Sequence, residues 1–175
     1  NRQITEINHK PLNQSIARGG ETQARRLLET FLQRRLLAYA ARRDLPAAAG
    51  TSGLSAHFHF GTIDVRTVLA GVDRATRGLD DAGGAGARTF VNELIWREFY
   101  LQIMTHFPHV LTGCFRPEYD AIAWDHDERL FEAWCAGQTG FPIVDAAMRC
   151  LNATGWMHNR LRMVVSMFLA KDLLL

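Results

Sequence analysis

Three stretches of this 175-residue chain concentrate side chains able to bind and react. In Gly155-Trp-Met-His-Asn-Arg-Leu-Arg-Met163, an amide, two guanidiniums and an imidazole fall within about two helical turns. Helical spacing places Asn159, Arg162, Met163 and Ser166 on one face, because residues three and four apart stack above each other. Asn159 offers a donor and an acceptor, Arg160 and Arg162 rigid forks, and Met163 a polarisable apolar contact. The apolar run that follows, Val164 to Leu169, reads as buried, so those polar groups need partners. Arginines at a helix start oppose its dipole, which argues for an anion nearby; the plain alternative is a solvent-exposed first turn.

The second stretch is Asn92-Glu-Leu-Ile-Trp-Arg-Glu-Phe-Tyr100, where Glu93, Trp96, Arg97 and Tyr100 share a face at i, i+3, i+4 and i+7. Leu94, Ile95, Phe99 and Ile103 point elsewhere, so the helix is expected to be enclosed on most sides. A carboxylate beside an indole can hydrogen-bond a base edge while the ring stacks on it. A core Trp rimmed by a Glu–Arg ion pair fits the same residues. The third stretch, Thr51-Ser-Gly-Leu-Ser55, joins hydroxyls and backbone donors at a helix start, as a phosphate cradle requires. Simple helix capping would need only Ser55.

The elements that must carry these groups all read as helical. Glu21 to Arg43 predicts one long helix with an apolar stripe of Ala24, Leu27, Leu28, Phe31, Leu32 and Leu36. Ser55 and Asp64 are the expected N-caps of a short helix to Phe60 and a longer one to about Thr76. Gly78 to Gly86 reads as a loop, Ala87 to Phe107 as a helix stopped by Pro108, and the stretch to His126 as irregular. Asp127 is expected to cap a helix to Ala136, Pro142 to open one that Gly155 closes, and the last helix to begin near Trp156. No segment alternates with period two, so the fold class is all-α, a multi-helical bundle.

An apolar fraction of 47% with 22% charged residues suits a globular chain rather than a disordered one. Net charge is only +2, yet Arg18 to Asp44 holds seven arginines against three acids, either a solvated helix face or a basic stripe for an anionic partner. Three cysteines without metal-type spacing point to a reduced, cytoplasmic setting, and no metal is expected. No apolar run is long enough to span a bilayer. The missing initiator Met and the uncapped Lys171-Asp-Leu-Leu-Leu175 end read as a piece of a longer chain, with 1–20 as an N-terminal, linker-like segment and 21–175 as the helical domain.

Taken in order and at their separations, these strings, together with Thr139-Gly-Phe-Pro-Ile-Val-Asp-Ala-Ala-Met148, resemble the FAD-binding helical domain of the photolyase/cryptochrome family from about Tyr39 onward. The resemblance implies that Tyr39, Thr51, Ser52, Gly53, Leu54 and Ser55 contact FAD, the loop taking its pyrophosphate. It implies that Glu93, Trp96, Arg97 and Tyr100 line the cavity between flavin and substrate, with Asn159, Arg160 and Met163 approaching from the other side. Arg162 is implied beside the isoalloxazine ring, Arg43 on DNA, and Trp124 at the surface end of a tryptophan chain that photoreduces the flavin.

The implied reaction is light-driven splitting of cyclobutane pyrimidine dimers in UV-damaged DNA by electron transfer from reduced FAD. Photolyases are among the enzymes that take the target out of the stack; Trp96 would stack on the extruded bases and Glu93 hydrogen-bond a pyrimidine carbonyl. The Glu93–Trp96 pair and Met163 resemble dimer-repairing members, with a signalling cryptochrome as the alternative. Neither the family's antenna-chromophore domain nor its later flavin-contacting segment is in this sequence, so the isolated chain is expected to hold FAD weakly and to repair nothing. Its uncovered apolar surface favours self-association.

Overall fold

The computed structural model describes residues 18–81 and 83–175. Most of the expected N-terminal segment 1–20 therefore lies outside the described residues. The described chain is helical with no strand among those residues, as the absence of period-two patterning requires. It divides into two compact units, Gly19–Ala123 and, for its described body, Trp124–Leu175. No helix among the described residues is long and apolar enough to cross a membrane.

In the first unit, α1 (Glu21–Arg34), α2 (Tyr39–Arg42), α3 (Ser55–His59), α4 (Val65–Thr76) and α5 (Ala85–His106) enclose one core. Its centre is a ring cluster joining three helices. Phe31 meets Phe90 at 4.6 Å and Tyr39 at 5.7 Å between centroids, and Tyr39 meets Phe90 edge-on at 5.3 Å. Such pairs add about 0.5–1.5 kcal/mol each to the area they bury.

The single helix expected from Glu21 to Arg43 is broken. Residues Arg35 to Ala38 turn, with the N–H groups of both Arg35 and Leu36 donating to the Phe31 carbonyl at 2.9 Å. No Pro or Gly marks the break, and local propensity favours continuing. Tertiary packing overrides it: the turn buries Leu36 completely and brings Tyr39 onto Phe90. Gly86 permits this, because a Cβ there would lie 2.2 Å from the Leu36 oxygen and 2.4 Å from that of Leu37.

Asp64 caps α4 as expected, its carboxylate accepting from the Thr67 N–H at 2.9 Å. Ser55 is not a cap. It is the first residue of α3, Leu54 holds the cap position without a side-chain bond, and Ser52 Oγ instead accepts from the Leu54 N–H at 3.3 Å. The stretch after α5 contains two short 3-10 turns, Pro108–Leu111 and Pro117–Ala121.

The second unit follows its sequence grammar closely. Asp127 caps α6 (Glu128–Ala136), accepting from the Leu130 N–H at 3.0 Å. Pro142 opens α7 (Pro142–Thr154), and Gly155, at φ 70°, ends it. Helix α8 (Asn159–Met167) starts three residues later than expected. Thr154 Oγ1 accepts from the Trp156 N–H at 3.1 Å, Met157 is buried, and His158 Nδ1 caps the helix by accepting from the Arg160 N–H at 3.1 Å. A one-turn π-helix, Phe168–Asp172, continues it. The core here is Val144, Ala147, Met148, Met157, Val165 and Phe168, and Trp134 Nε1 donates to the Val165 carbonyl at 3.0 Å.

Asp145 ties the α6–α7 turn together. Its carboxylate accepts from the Thr139 N–H at 2.7 Å, the Thr139 hydroxyl at 2.6 Å and the Gly140 N–H at 3.0 Å. These bonds, the Thr139 hydroxyl foremost, hold its pKa below the ordinary carboxylate value. A depressed folded-state pKa means that the stabilisation is complete above the unfolded value of about 3.9 and is lost as pH falls through the lower folded value. The acid limb of thermal stability should therefore flatten in Asp145→Asn relative to wild type, read by circular dichroism between about pH 2 and 5. Gly86→Ala should cost about 1–3 kcal/mol or more in denaturant unfolding, since backbone oxygens cannot yield as side chains do.

Candidate functional site

The Glu93 face of α5 departs from the enclosed helix expected. Its buried residues, Gly86, Ala87, Phe90 and Leu94, all lie in the first half of the 22-residue helix. Beyond Leu94, Ile95, Trp96, Phe99, Tyr100, Leu101 and Met104 are exposed. Apolar residues point in every direction, the pattern of a buried helix, but the described residues cover only its N-terminal part. The core-Trp reading fails with it: Trp96 is 53% exposed and Tyr100 61%. The three rings brace one another, Trp96 lying 5.4 Å from Phe99 and 6.1 Å from Tyr100, the latter tilted by 31°.

Glu93 is paired with Arg43 Nη1, 50 residues away in sequence. Arg43 Nε also lies 3.3 Å from Asp44 Oδ1, and its guanidinium carbon sits 5.6 Å from the centre of the Tyr39 ring. The Glu93 hydrogen bond raises the Arg43 pKa further above its usual high value, and burial raises that of the Tyr39 phenol, which stays protonated. Arg97 pairs with Glu98 and lies 5.8 Å from the Phe58 ring centre, at the edge of the same face.

Within the same unit, the 51–55 loop is held from one side by Arg35, whose Nη1 donates to the Thr51 carbonyl at 3.2 Å. Gly53 adopts φ 70° with nothing within 4 Å of the position a Cβ would take. Leu54 is buried, anchoring the loop, while Gly53 and Ser55 are exposed and Thr51 and Ser52 half-buried. The hydroxyls of Thr51 and Ser55 make no hydrogen bond within the described residues, and the start of α3 has no side-chain cap. Free hydroxyls beside uncapped N–H groups are the donor set that a pyrophosphate needs. The loop therefore fits the FAD implied by the sequence.

The other expected residues belong to the second unit. Asn159, Arg162 and Met163 are exposed and Arg160 half-buried, and of the run Val164 to Leu169 expected to be buried, Val165 and Phe168 are buried while Ser166 and Met167 are exposed. Arg160 Nη1 contacts Met163 Sδ at 3.6 Å, and both line a groove of about 560 Å³ with Phe141, Ile143, Met167 and Phe168. Arg162 turns back, its Nε donating to the Met157 carbonyl at 2.9 Å. Trp124 is exposed just ahead of α6. Among the described residues no group of three or more His, Cys, Asp or Glu could hold a metal.

Two contributors escaped sequence reasoning: Asp44, the second carboxylate on Arg43, and Arg35, the tie to the cradle. The Arg-Arg-Asp run at 42–44 was the only local signal for Asp44. An indole kept at the surface should carry little stability. Trp96→Ala should change unfolding free energy by no more than about 0.5 kcal/mol, whereas Phe90→Ala should cost about 3–5 kcal/mol; urea titrations of both variants check this.

Residues 90–175 match the family described as the FAD binding domain of DNA photolyase. A deoxyribodipyrimidine photo-lyase of Neurospora crassa is 44% identical over 162 residues, covering 91% of this chain but 26% of that protein. A bacterial class III photolyase from Agrobacterium tumefaciens superposes with a TM-score of 0.84 at 40% identity, and a cryptochrome of Synechocystis sp. PCC6803 with 0.80 at 32% identity. Each of those superpositions covers 89% of this chain and 32% of the other. The chain thus spans between about a quarter and a third of the length of these relatives. By the family match over its second half, its identity to these relatives and its superposed helical architecture, the chain belongs to the photolyase/cryptochrome family and comprises part of that family's FAD-binding domain.

Proposed function

We propose that this chain is part of a light-driven DNA-repair lyase that splits cyclobutane pyrimidine dimers. One observation carries the reading: Trp96 and Tyr100 stand exposed on α5, the half-buried Glu93 carboxylate shares their face, and Arg43 is beside it. A planar pyrimidine pair can stack on the indole while a carboxylate engages its polar edge. Arginines at the rim would add salt-dependent affinity for phosphates without reading sequence.

FAD would be held by Thr51, Ser52, Gly53 and Ser55 at its pyrophosphate, with Tyr39, Leu54, Arg97, Tyr100 and Arg162 contributing further contacts. Bound in its reduced form and excited by blue light, it would supply the electron-transfer chemistry for opening the cyclobutane ring. The chain's own residues do the rest. Trp96 orients the lesion and excludes water from one side, and Glu93 fixes its edge. Asn159, Arg160 and Met163 add polar and soft apolar contacts, and Trp124 serves electron resupply to the flavin. UV-damaged DNA is the partner, inside the compartment where the DNA is kept.

A signalling cryptochrome is the second reading, supported by the likeness to the Synechocystis protein, though at lower identity than to the Agrobacterium photolyase. The uncovered Ile95, Phe99, Leu101 and Met104 favour self-association of the chain alone.

In the intact protein, blue light should remove dimers from irradiated DNA, scored by absorbance recovery. Glu93→Ala should slow that removal at unchanged flavin content; loss of flavin instead would make Glu93 structural. Photoreduction without repair would favour the signalling reading. The isolated chain, holding part of the cradle, should retain FAD weakly on gel filtration. A stoichiometric yellow chain would contradict that expectation.

A further inference from the structure

Asp44, in the turn that follows α2, and Glu93, on α5, share one guanidinium: Arg43 Nε faces Asp44 Oδ1 at 3.3 Å and Nη1 bonds Glu93 Oε1. The guanidinium is a planar, rigid fork, so fixing Nε fixes the direction in which Nη1 points. The Tyr39 ring lies against it, with 5.6 Å between the guanidinium carbon and the ring centroid, and the Arg43 side chain is 16% exposed. Arg43 is thus packed in place and not a swinging surface group. As a source of stability the cluster counts for little, because the Asp44 and Glu93 side chains are 49% and 33% exposed and water screens such pairs. Two carboxylates around one cation also repel each other. The useful product of the arrangement is direction.

We propose that Asp44 is a positioning residue: by fixing the plane of Arg43 it orients the Glu93 carboxylate toward the ligand-binding face of α5. This rests on the reading of Glu93 as a lesion contact. It assigns Asp44 no contact with the ligand itself.

The Asp44→Asn change keeps the shape and removes the charge. In the full chain, preference for a dimer-containing over an undamaged oligonucleotide, read as a ratio of affinities by fluorescence anisotropy, should fall several-fold in Asp44→Asn. The same change made on a Glu93→Gln background should leave the ratio where Glu93→Gln alone puts it. Equal losses in both backgrounds would overturn the relay.

A wild-type chain with no lesion preference would instead count against the dimer reading, and the relay is then decided without nucleic acid. The Arg43–Glu93 coupling, from unfolding constants of Arg43→Gln and Glu93→Gln singly and together, should be a factor of about two to five with Asp44 present. It should shrink toward one in Asp44→Asn. A coupling that holds or grows means that Asp44 merely competes for Arg43, and the proposal fails.

Discussion

The approach of α5 to the α1–α2 turn sets everything else in the first unit. Gly86 lets the α5 backbone lie against the carbonyls of Leu36 and Leu37, closer than any side chain would allow. That contact brings Phe90 against both Phe31 and Tyr39 and carries the next two turns of α5 past α2. Glu93 then arrives within reach of Arg43, and Trp96, one turn further, clears the core. Polar pairing at the site is thus a by-product of apolar packing one turn away. Burial of the ring cluster stabilises this unit far more than the pairing does, since half-exposed ion pairs contribute at most about 1 kcal/mol.

The second unit is organised differently, with local hydrogen bonds doing the arranging. Asp145 closes the turn before α7, Gly137 ends α6 in a left-handed conformation, and Arg149 Nη1 donates to the Gly137 carbonyl at 2.6 Å. Asn152 adds a bond to the Cys135 carbonyl at 2.8 Å. Each partner lies within about one helix length of the other. Such short-range closure needs little chain entropy to be given up, and it delivers Met163 and Arg160 to their groove on a stiff base.

That contrast explains what the sequence made legible. Helices α4, α6 and α7 begin or end where Asp64, Asp127, Pro142 and Gly155 say they should, because caps are local chemistry. The break after Arg34 was invisible, because its cause, Gly86 and Phe90, lies more than 50 residues downstream. Helix α8 starts late because burying Met157 and capping with His158 require an extended stretch that propensity does not reveal. Residue type and spacing marked Glu93, Trp96 and the 51–55 loop as candidates, though a core Trp and simple capping fitted the same residues. The link from Asp44 through Arg43 to Glu93 could not, since it exists only after α2 and α5 have packed. Full enclosure of α5 was a reasonable inference from its all-round apolarity, but periodicity says only that a surface prefers cover, not which residues supply it.

The mutual bracing of Trp96, Phe99 and Tyr100 has a thermodynamic consequence. A large ring that is free to rotate must surrender its rotamer entropy when a ligand arrives, at a cost of about 0.5–1.5 kcal/mol for each immobilised side chain. Here the edge-on contact at 5.4 Å and the tilted one at 6.1 Å already restrict the indole before anything docks. Much of that loss has been absorbed during folding, so a planar group that stacked there would meet a nearly rigid surface.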